Sequence, residues 1–458
     1  MMKFKRMSWL AATVVIAASA TLVVACGGGG SGNPFAGLTS TSTTPAATTT
    51  TTSSNSAPPA TTTPTPPPVL TGAQRVKHVF VITLENKNYA DTFGTSTQDP
   101  YLVGTLKPMG AHLTQYYGTG HVSLDNYISM ISGQPSSLET QNDCQNFDDF
   151  AMTGTSADGA AIGTGCVYPA TVKTLPDQLK ALNLSWKGYM QDMGNDPARE
   201  SSTCGHPALN AKDLTQTPEA PTAAVPAGDQ YATRHNPFAY FHSIIDSPDC
   251  ATNVVELGKL EADLSSVATT PNFVFITPNL CNDGHDGDGT GAAGKGCVDG
   301  NPGGLTSSDA FLKTWVPKIM ASAAYQQDGL IIINFDESSY GAVQVTGPDS
   351  NGITHQVVTF TGESCCNQPI GPNVTRPLTQ TYPISATMQY DLVTTGWGGD
   401  RVGAVLLSPF IKAGTVSDTP YNHYSLLKSL EYIFQTPEYL GYANQAGLVA
   451  FGSDVFTN

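Results

Sequence analysis

Short apolar runs separated by polar, glycine-rich stretches mark most of this chain, and two of the runs end abruptly on acid. Val79, Phe80, Val81, Ile82 and Leu84 form a β-branched and aromatic run that stops at Glu85 and Asn86. Much later Gly329 to Asn334, GLIIIN, continues through Phe335 into Asp336 and Glu337. Uninterrupted apolar runs of this length predict strands buried on both faces. Ligands of open α/β sheets gather at the carboxyl ends of strands, so the two acidic pairs predict one polar edge. Glu85 alone reads equally as a cap for the following helix, and the recurrence at Asp336-Glu337 weighs against that. Helical spacing follows a small-residue turn at Tyr127 to Ile131, runs through Leu179 and Leu182 into a strand-like Ser185 to Tyr189, and returns in SLLKSLEYIF after His423. The pattern predicts an α/β three-layer sandwich, a mostly parallel central sheet with helices on both faces.

The first 70 residues read differently. Lys3, Lys5 and Arg6 precede an apolar span from Trp9 to Val24, and Val23-Val24-Ala25-Cys26 fits a lipoprotein cleavage box. The expectation is a signal peptide over 1–25 and a lipid on Cys26, against the alternatives of an uncleaved anchor or an ordinary secretory signal. Residues 26–70 are rich in Gly, Ser, Thr, Ala and Pro and nearly free of large apolar side chains, which predicts a disordered spacer. Residues 71–458 contain no second linker, internal repeat or further bilayer-length apolar run, so they read as one α/β domain with long insertions.

Charge narrows the partners. The chain has 21 basic and 37 acidic residues; removing Lys3, Lys5 and Arg6 leaves 18 against 37, a net −19. An acidic body argues against nucleic acid or anionic lipid as a held partner. Nothing in the pattern sets an oligomeric state. Apart from Cys26 there are eight cysteines, an even number that suits disulfides in an exported protein. Sequential pairing is expected, Cys144 with Cys166, Cys204 with Cys250 and Cys281 with Cys297, each closing a polar insertion. Cys365 and Cys366 bridge each other or find other partners. No CxxC pair is present, which disfavours a cysteine zinc site.

Gly118 to Gly133, GTGHVSLDNYISMISG, carries the most chemical information. Its turn delivers His121 and Ser123 to the start of a helix, where N–H groups and the dipole suit a phosphate. A plain N-cap is the competing role for Ser123. Asp283 to Asp299 alternates glycine and aspartate as a calcium loop would, but lacks the glutamate that closes an EF-hand. A solvated insertion stapled by Cys281 and Cys297 explains it equally well. Trp186 and Trp397 read as packing residues.

Seven segments together resemble the bacterial phosphoesterase family of acid phosphatases and non-haemolytic phospholipases C, a branch of the alkaline phosphatase superfamily. They are LENKNYADTFG at 84–94, GHVSLDNY at 120–127, LPDQLKALNLSWKGYMQDM at 175–193, RHNPFAYF at 234–241, TPNLCNDGHDG at 277–287, FDES at 335–338 and SPFIKAGTVSDTPYNHYSLLKSLEYIF at 408–434. The resemblance implies an alkaline phosphatase-like fold. It implies a divalent metal held by Glu85, Asn86, Asp336 and Glu337, Ser123 as nucleophile through a phosphoserine, and Asn126 bonded to a phosphoryl oxygen. His235, His285 and His423 would contact phosphate or protonate the leaving group, with His121 a weaker candidate. His78, His112, His206, His242 and His355 are left as ordinary histidines. The chain departs from the family at Lys87-Asn88-Tyr89, usually closer to His-Ser-Tyr, and at Asp125, commonly proline. A carboxylate beside the nucleophile repels a phosphate dianion unless a cation is near. The expected substrate is a small phosphomonoester; the alternatives are a phosphocholine-type diester or lipid, and a surface binding protein on a silent enzyme fold.

Overall fold

In the computed structural model, which describes residues 71–457 apart from Ser96 and Ala342, the two acid-tipped runs lie side by side in an eight-stranded sheet. The signal, lipid and spacer expectations concern residues 1–70 and lie outside the described residues. Numbered along the chain, the strands are β1 (His78–Leu84), β2 (Ala111–Leu113), β3 (Trp186–Met190), β4 (Val254–Glu256), β5 (Phe273–Thr277), β6 (Gly329–Phe335), β7 (Ala404–Leu407) and β8 (Thr415–Ser417). Their spatial order is β8-β2-β7-β6-β1-β5-β3-β4. Only β7 runs against the others. Val79 faces Leu330 and Leu84 faces Phe335 in parallel register, so the acids following β1 and β6 emerge at the same edge. Both strands are buried along their whole length, as their apolar runs require.

Four longer helices matter for the site: α1 (Ser123–Ser132), α2 (Leu175–Ala181), α3 (Gly304–Ala321) and α4 (His423–Phe434). α1, α2 and α4 pack on one another, while α3 packs with the short helix Ala323–Asp328 that leads into β6. The result is a three-layer α/β sandwich. The helix-strand unit expected after Leu175 is present as α2 and β3, and α2 opens on a reciprocal cap between Thr174 and Asp177. Trp186 is in the core, stacked 5.0 Å from Phe238. Trp397 is not: it is 37 % exposed, with its indole N–H donated to the Gln368 carbonyl.

Between β6 and β7 the chain inserts a second sheet, in spatial order Gln344–Val345, Thr354–Phe360, Met388–Thr394 and Leu378–Ser385. Val358, Phe360 and Leu392 on this sheet form a small apolar cluster with Val122, the residue before Ser123. The insertion therefore covers the entrance to α1. Four disulfides are present, Cys144–Cys166, Cys204–Cys250, Cys281–Cys297 and the adjacent Cys365–Cys366. Among the described residues no helix is long and apolar enough to cross a membrane.

Candidate active site

The polypeptide leaving β1 turns at Asn86, whose φ of +53° is a left-handed conformation that asparagine tolerates. That turn aims the Glu85 side chain into the molecule, where it is fully buried. Its Oε2 accepts hydrogen bonds from Ser123 Oγ (2.9 Å) and Asn86 Nδ2 (2.8 Å), and its Oε1 accepts from the Tyr127 hydroxyl (2.6 Å). His235 Nε2 stands 3.4 Å from the same Oε1, its ring stacked on Tyr127, and His235 Nδ1 stands 3.4 Å from Asp283 Oδ2. After β6, Asp336 Oδ1 accepts the main-chain N–H groups of Asn86 (2.9 Å) and Glu337 (2.6 Å). Glu337 turns to His121 Nδ1, and the other ring nitrogen of that histidine lies 3.1 Å from Asp400.

Electrostatically the cluster is unbalanced. Burial, then the charges of Glu85 and Glu337, hold the Asp336 carboxyl well above the ordinary range. Burial and Glu85 do the same to Asp283, and burial with Asp125 and Glu85 to Glu337. Burial, then Arg234 and His285, push His235 well below the ordinary imidazole value. Several buried atoms have no hydrogen-bond partner: Asp336 Oδ2, Asp283 Oδ2 and both ring nitrogens of His235. Unpaired polar atoms at this depth are costly. Asp336 Oδ2, Asp283 Oδ2 and the His235 ring, beside the buried Glu85 carboxylate, are donor types that suit a divalent cation; of the other expected ligands, the Asn86 amide donates to Glu85 and Glu337 meets His121. Among the described His, Cys, Asp and Glu side chains, the one group of three whose ligand atoms all lie within 4.8 Å of one another is Cys281, Cys297 and Asp299, and its cysteines are tied in a disulfide.

Ser123 is the first residue of α1, and Val122 occupies the N-cap. Its hydroxyl is therefore spent on Glu85, not on capping. The capping task falls to a distant residue: Asp143 Oδ1 accepts the Leu124 N–H at 3.0 Å, and Arg234 Nε holds the other Asp143 oxygen at 3.4 Å. Asp125 accepts from Ser136 (2.6 Å), and burial pushes its carboxyl up to about 7.

Three expected residues are placed differently from Glu85, Ser123, His235, Asp336 and Glu337, which converge. The Asn126 amide closes the preceding turn, its oxygen accepting from Thr119 and Gly120 N–H and its nitrogen donating to the Gly120 carbonyl. His423 is completely buried between the Tyr116 hydroxyl (2.9 Å) and the Asp336 main-chain carbonyl (2.6 Å), so it braces the strand end from behind. His285 lies at the rim, its side chain 40 % exposed and its Nδ1 2.7 Å from Asp286. Sequence reasoning passed over Tyr127 and Asp400 as site members, and weighed Asp283 only within the glycine- and aspartate-rich loop around His285. Asp283 follows the apolar strand β5, so the strand-end argument that found Glu85 and Asp336 reaches it too. Tyr127 sits one helical turn beyond Ser123. Asp400, in the Gly-rich GWGGDR turn, carries no such signal.

An acid cluster on the carboxyl edge of a mostly parallel sheet, facing the serine that opens a helix, puts this molecule among the α/β sandwich proteins whose candidate site lies at the strand ends. Residues 106–437 match the phosphoesterase family, and the chain belongs to it. A probable acid phosphatase of Kluyveromyces lactis is 24% identical over 266 residues, covering 58% of this chain and 48% of that protein. An acid phosphatase of Aspergillus fumigatus is 21% identical over 258 residues, covering 56% and 44%. The chain spans about half the length of the curated relatives it matches, and those relatives are fungal, so the family expected from the motifs is met but its bacterial branch is not. A solved alkaline phosphatase superfamily protein of Vibrio parahaemolyticus is 10% identical, with 79% of this chain and 67% of that one covered at a TM-score of 0.38, a likeness too slight to bear on function.

Proposed function

We propose that the protein is a metal-dependent hydrolase of phosphoric esters, acting on small phosphomonoesters with Ser123 as nucleophile. The observation that carries this reading is the Ser123 hydroxyl 2.9 Å from Glu85 within a cluster of orphaned, mutually repelling carboxylates. A divalent cation held by Glu85, Asn86, Asp336 and Glu337 would neutralise phosphoryl charge and favour the serine alkoxide. Ser123 Oγ attacks phosphorus as its proton passes to Glu85 Oε2, the ester P–O bond breaks with the electron pair leaving on the alcohol oxygen, and a phosphoserine remains for water to cleave, Glu85 returning the proton to Ser123. His235, kept neutral by burial between Glu85 and Asp283, orients the cluster. His285, exposed at the rim beside Asp286, gives the departing alkoxide its proton. Asn126 fixes the turn that presents Ser123.

Protein exported to an oxidising compartment and assayed on para-nitrophenyl phosphate, its bis-ester and para-nitrophenyl phosphorylcholine, with and without chelator, tests the reading. Chelator-sensitive turnover of the monoester above both diesters is expected, as is a loss of roughly a thousandfold or more in Ser123→Ala with unchanged folding. Preference for a diester transfers the assignment to a phosphodiesterase or phospholipase C, and folded, metal-loaded protein inert on all three overturns it in favour of a binding protein. Export is supported by the four disulfides. Tethering by a lipid on Cys26 predicts that Cys26→Ser moves the protein from the membrane fraction to the soluble one; no shift refutes the anchor.

A further inference from the structure

A cleft of about 380 Å³ opens beside the acid cluster, between the loops that follow β1 and β6 and the inserted sheet. Ser338, the residue after Glu337, lines it, and so does Asp400. Asp400 faces one ring nitrogen of His121 at 3.1 Å, while the other nitrogen of that ring meets Glu337. Cleft and cluster thus share a wall, built from Ser338 and Asp400 on the cleft side and from the buried His121 and Glu337 behind them.

The charges on that wall are unequal in availability. Both oxygens of Asp400 are already engaged, Oδ2 by His121 and Ser338 and Oδ1 by the Thr361 hydroxyl and the Glu363 main-chain N–H. Glu363 lines the cleft but is exposed, where water and salt screen its charge. Arg401 differs from both. Its guanidinium carbon lies 4.1 Å from the centre of the Tyr89 ring, and its main-chain carbonyl accepts the Tyr89 N–H at 3.1 Å, so side chain and backbone are held against one residue. Tyr89 is itself backed by His112, stacked 5.7 Å away. Among the described residues no carboxylate pairs with this guanidinium and no carbonyl accepts from it. A guanidinium held over an aromatic ring with its fork of donors unused suits bidentate capture of an oxyanion.

We propose that the cleft is the subsite for the departing alcohol and that Arg401 selects esters whose alcohol part carries a second oxyanion, a carboxylate or a phosphorus oxyacid. This rests on the phosphoester hydrolysis proposed above. It assigns the cleft a substrate class, phosphomonoesters whose alcohol part bears an anionic group of its own, and gives Arg401 a specificity role separate from the reacting centre.

The test compares kcat/KM of the full-length, metal-loaded protein on phenyl phosphate, 4-carboxyphenyl phosphate and 4-(phosphonomethyl)phenyl phosphate. The two anionic esters are expected to exceed phenyl phosphate by roughly tenfold, the worth of one charge-assisted bidentate contact. Arg401→Met should bring that ratio close to one, and Arg401→Lys, which keeps the charge but not the fork, should leave part of it. A wild-type ratio of one, or a ratio unchanged in Arg401→Met, overturns the proposal; if only one anionic ester gains, that anion is the one selected. Calorimetric binding of phenylphosphonate and 4-carboxyphenylphosphonate separates this from failure of the hydrolase reading. If no ester is turned over but the carboxylated phosphonate binds more tightly and loses that advantage in Arg401→Met, the subsite stands and the hydrolase reading falls. Equal affinities overturn the subsite. Should Arg401→Met not fold, the wild-type ratios and Arg401→Lys decide the matter.

Discussion

Asp336 is a residue whose two oxygens face different fates: one accepts two main-chain N–H groups and the other accepts nothing. Its charge is opposed by burial and by Glu85 and Glu337, so without a cation it is a source of instability. Asp336→Asn keeps the shape and both accepted bonds while removing the charge. It is expected to raise the melting temperature of chelator-treated protein and to lower metal content by elemental analysis. A variant that keeps wild-type metal stoichiometry makes Asp336 structural. Residue types at strand ends carried this part of the site in the sequence, since an acid after a buried apolar run is conspicuous at Glu85, Asp336 and Glu337. The direction of a side chain is not written there. Asn126 and His423 have the right chemistry in the right neighbourhood, yet one amide is consumed by its own turn and the other ring looks at the back of Asp336. His121 shows the reverse, a histidine of modest promise that ends up between two carboxylates.

At the scale of elements, α4 ties the C-terminal part of the chain to the sheet and carries a buried acid in its last turn. Glu431 Oε1 accepts the Leu440 N–H at 2.8 Å, its Oε2 has no partner, and burial pushes the carboxyl up to about 8 from an ordinary 4.5. A raised value in the folded state means that its stabilising contribution is complete below about pH 4.5 and is lost as pH rises through about 8. Glu431→Gln should therefore gain stability relative to wild type as pH goes from 5 to 8.5, read by urea unfolding at each pH. A difference that is flat across that window means the carboxyl is not the titrating group. Elements with strong periodicity were legible: β1, β6, α2 and the start of α4 lie where apolar spacing put them. The direction of β7 was not, because Ala404–Leu407 is as uniformly apolar as its parallel neighbours and only the pairing with β6 and β2 reveals the reversal.

Over the whole molecule, covalent ties hold polar excursions to the core. Cys204–Cys250 closes 46 residues of sequence. In the chain-entropy picture a loop of that size is worth about 4 kcal/mol. The paired change Cys204→Ala with Cys250→Ala should thus lower the urea midpoint markedly, and an unchanged midpoint shows that the loop is held by its packing alone. The sequential pairing was readable because each pair brackets a polar stretch, whereas the inserted sheet was not, its exposed strands lacking a continuous apolar face. That sheet enters and leaves the core at nearly one point: the Ser338 N–H donates to the Gly399 carbonyl at 2.9 Å, and the Ser338 hydroxyl to Asp400 at 3.2 Å. Beyond that base it is clasped to the body again, by Tyr382 on Asn142, Gln380 on Gln141 and Gln368 on Thr119, so the insertion is a lateral buttress of the α1 entrance. Shortening it would therefore loosen the entrance to α1 as well as reshape the cleft, because one wall serves both.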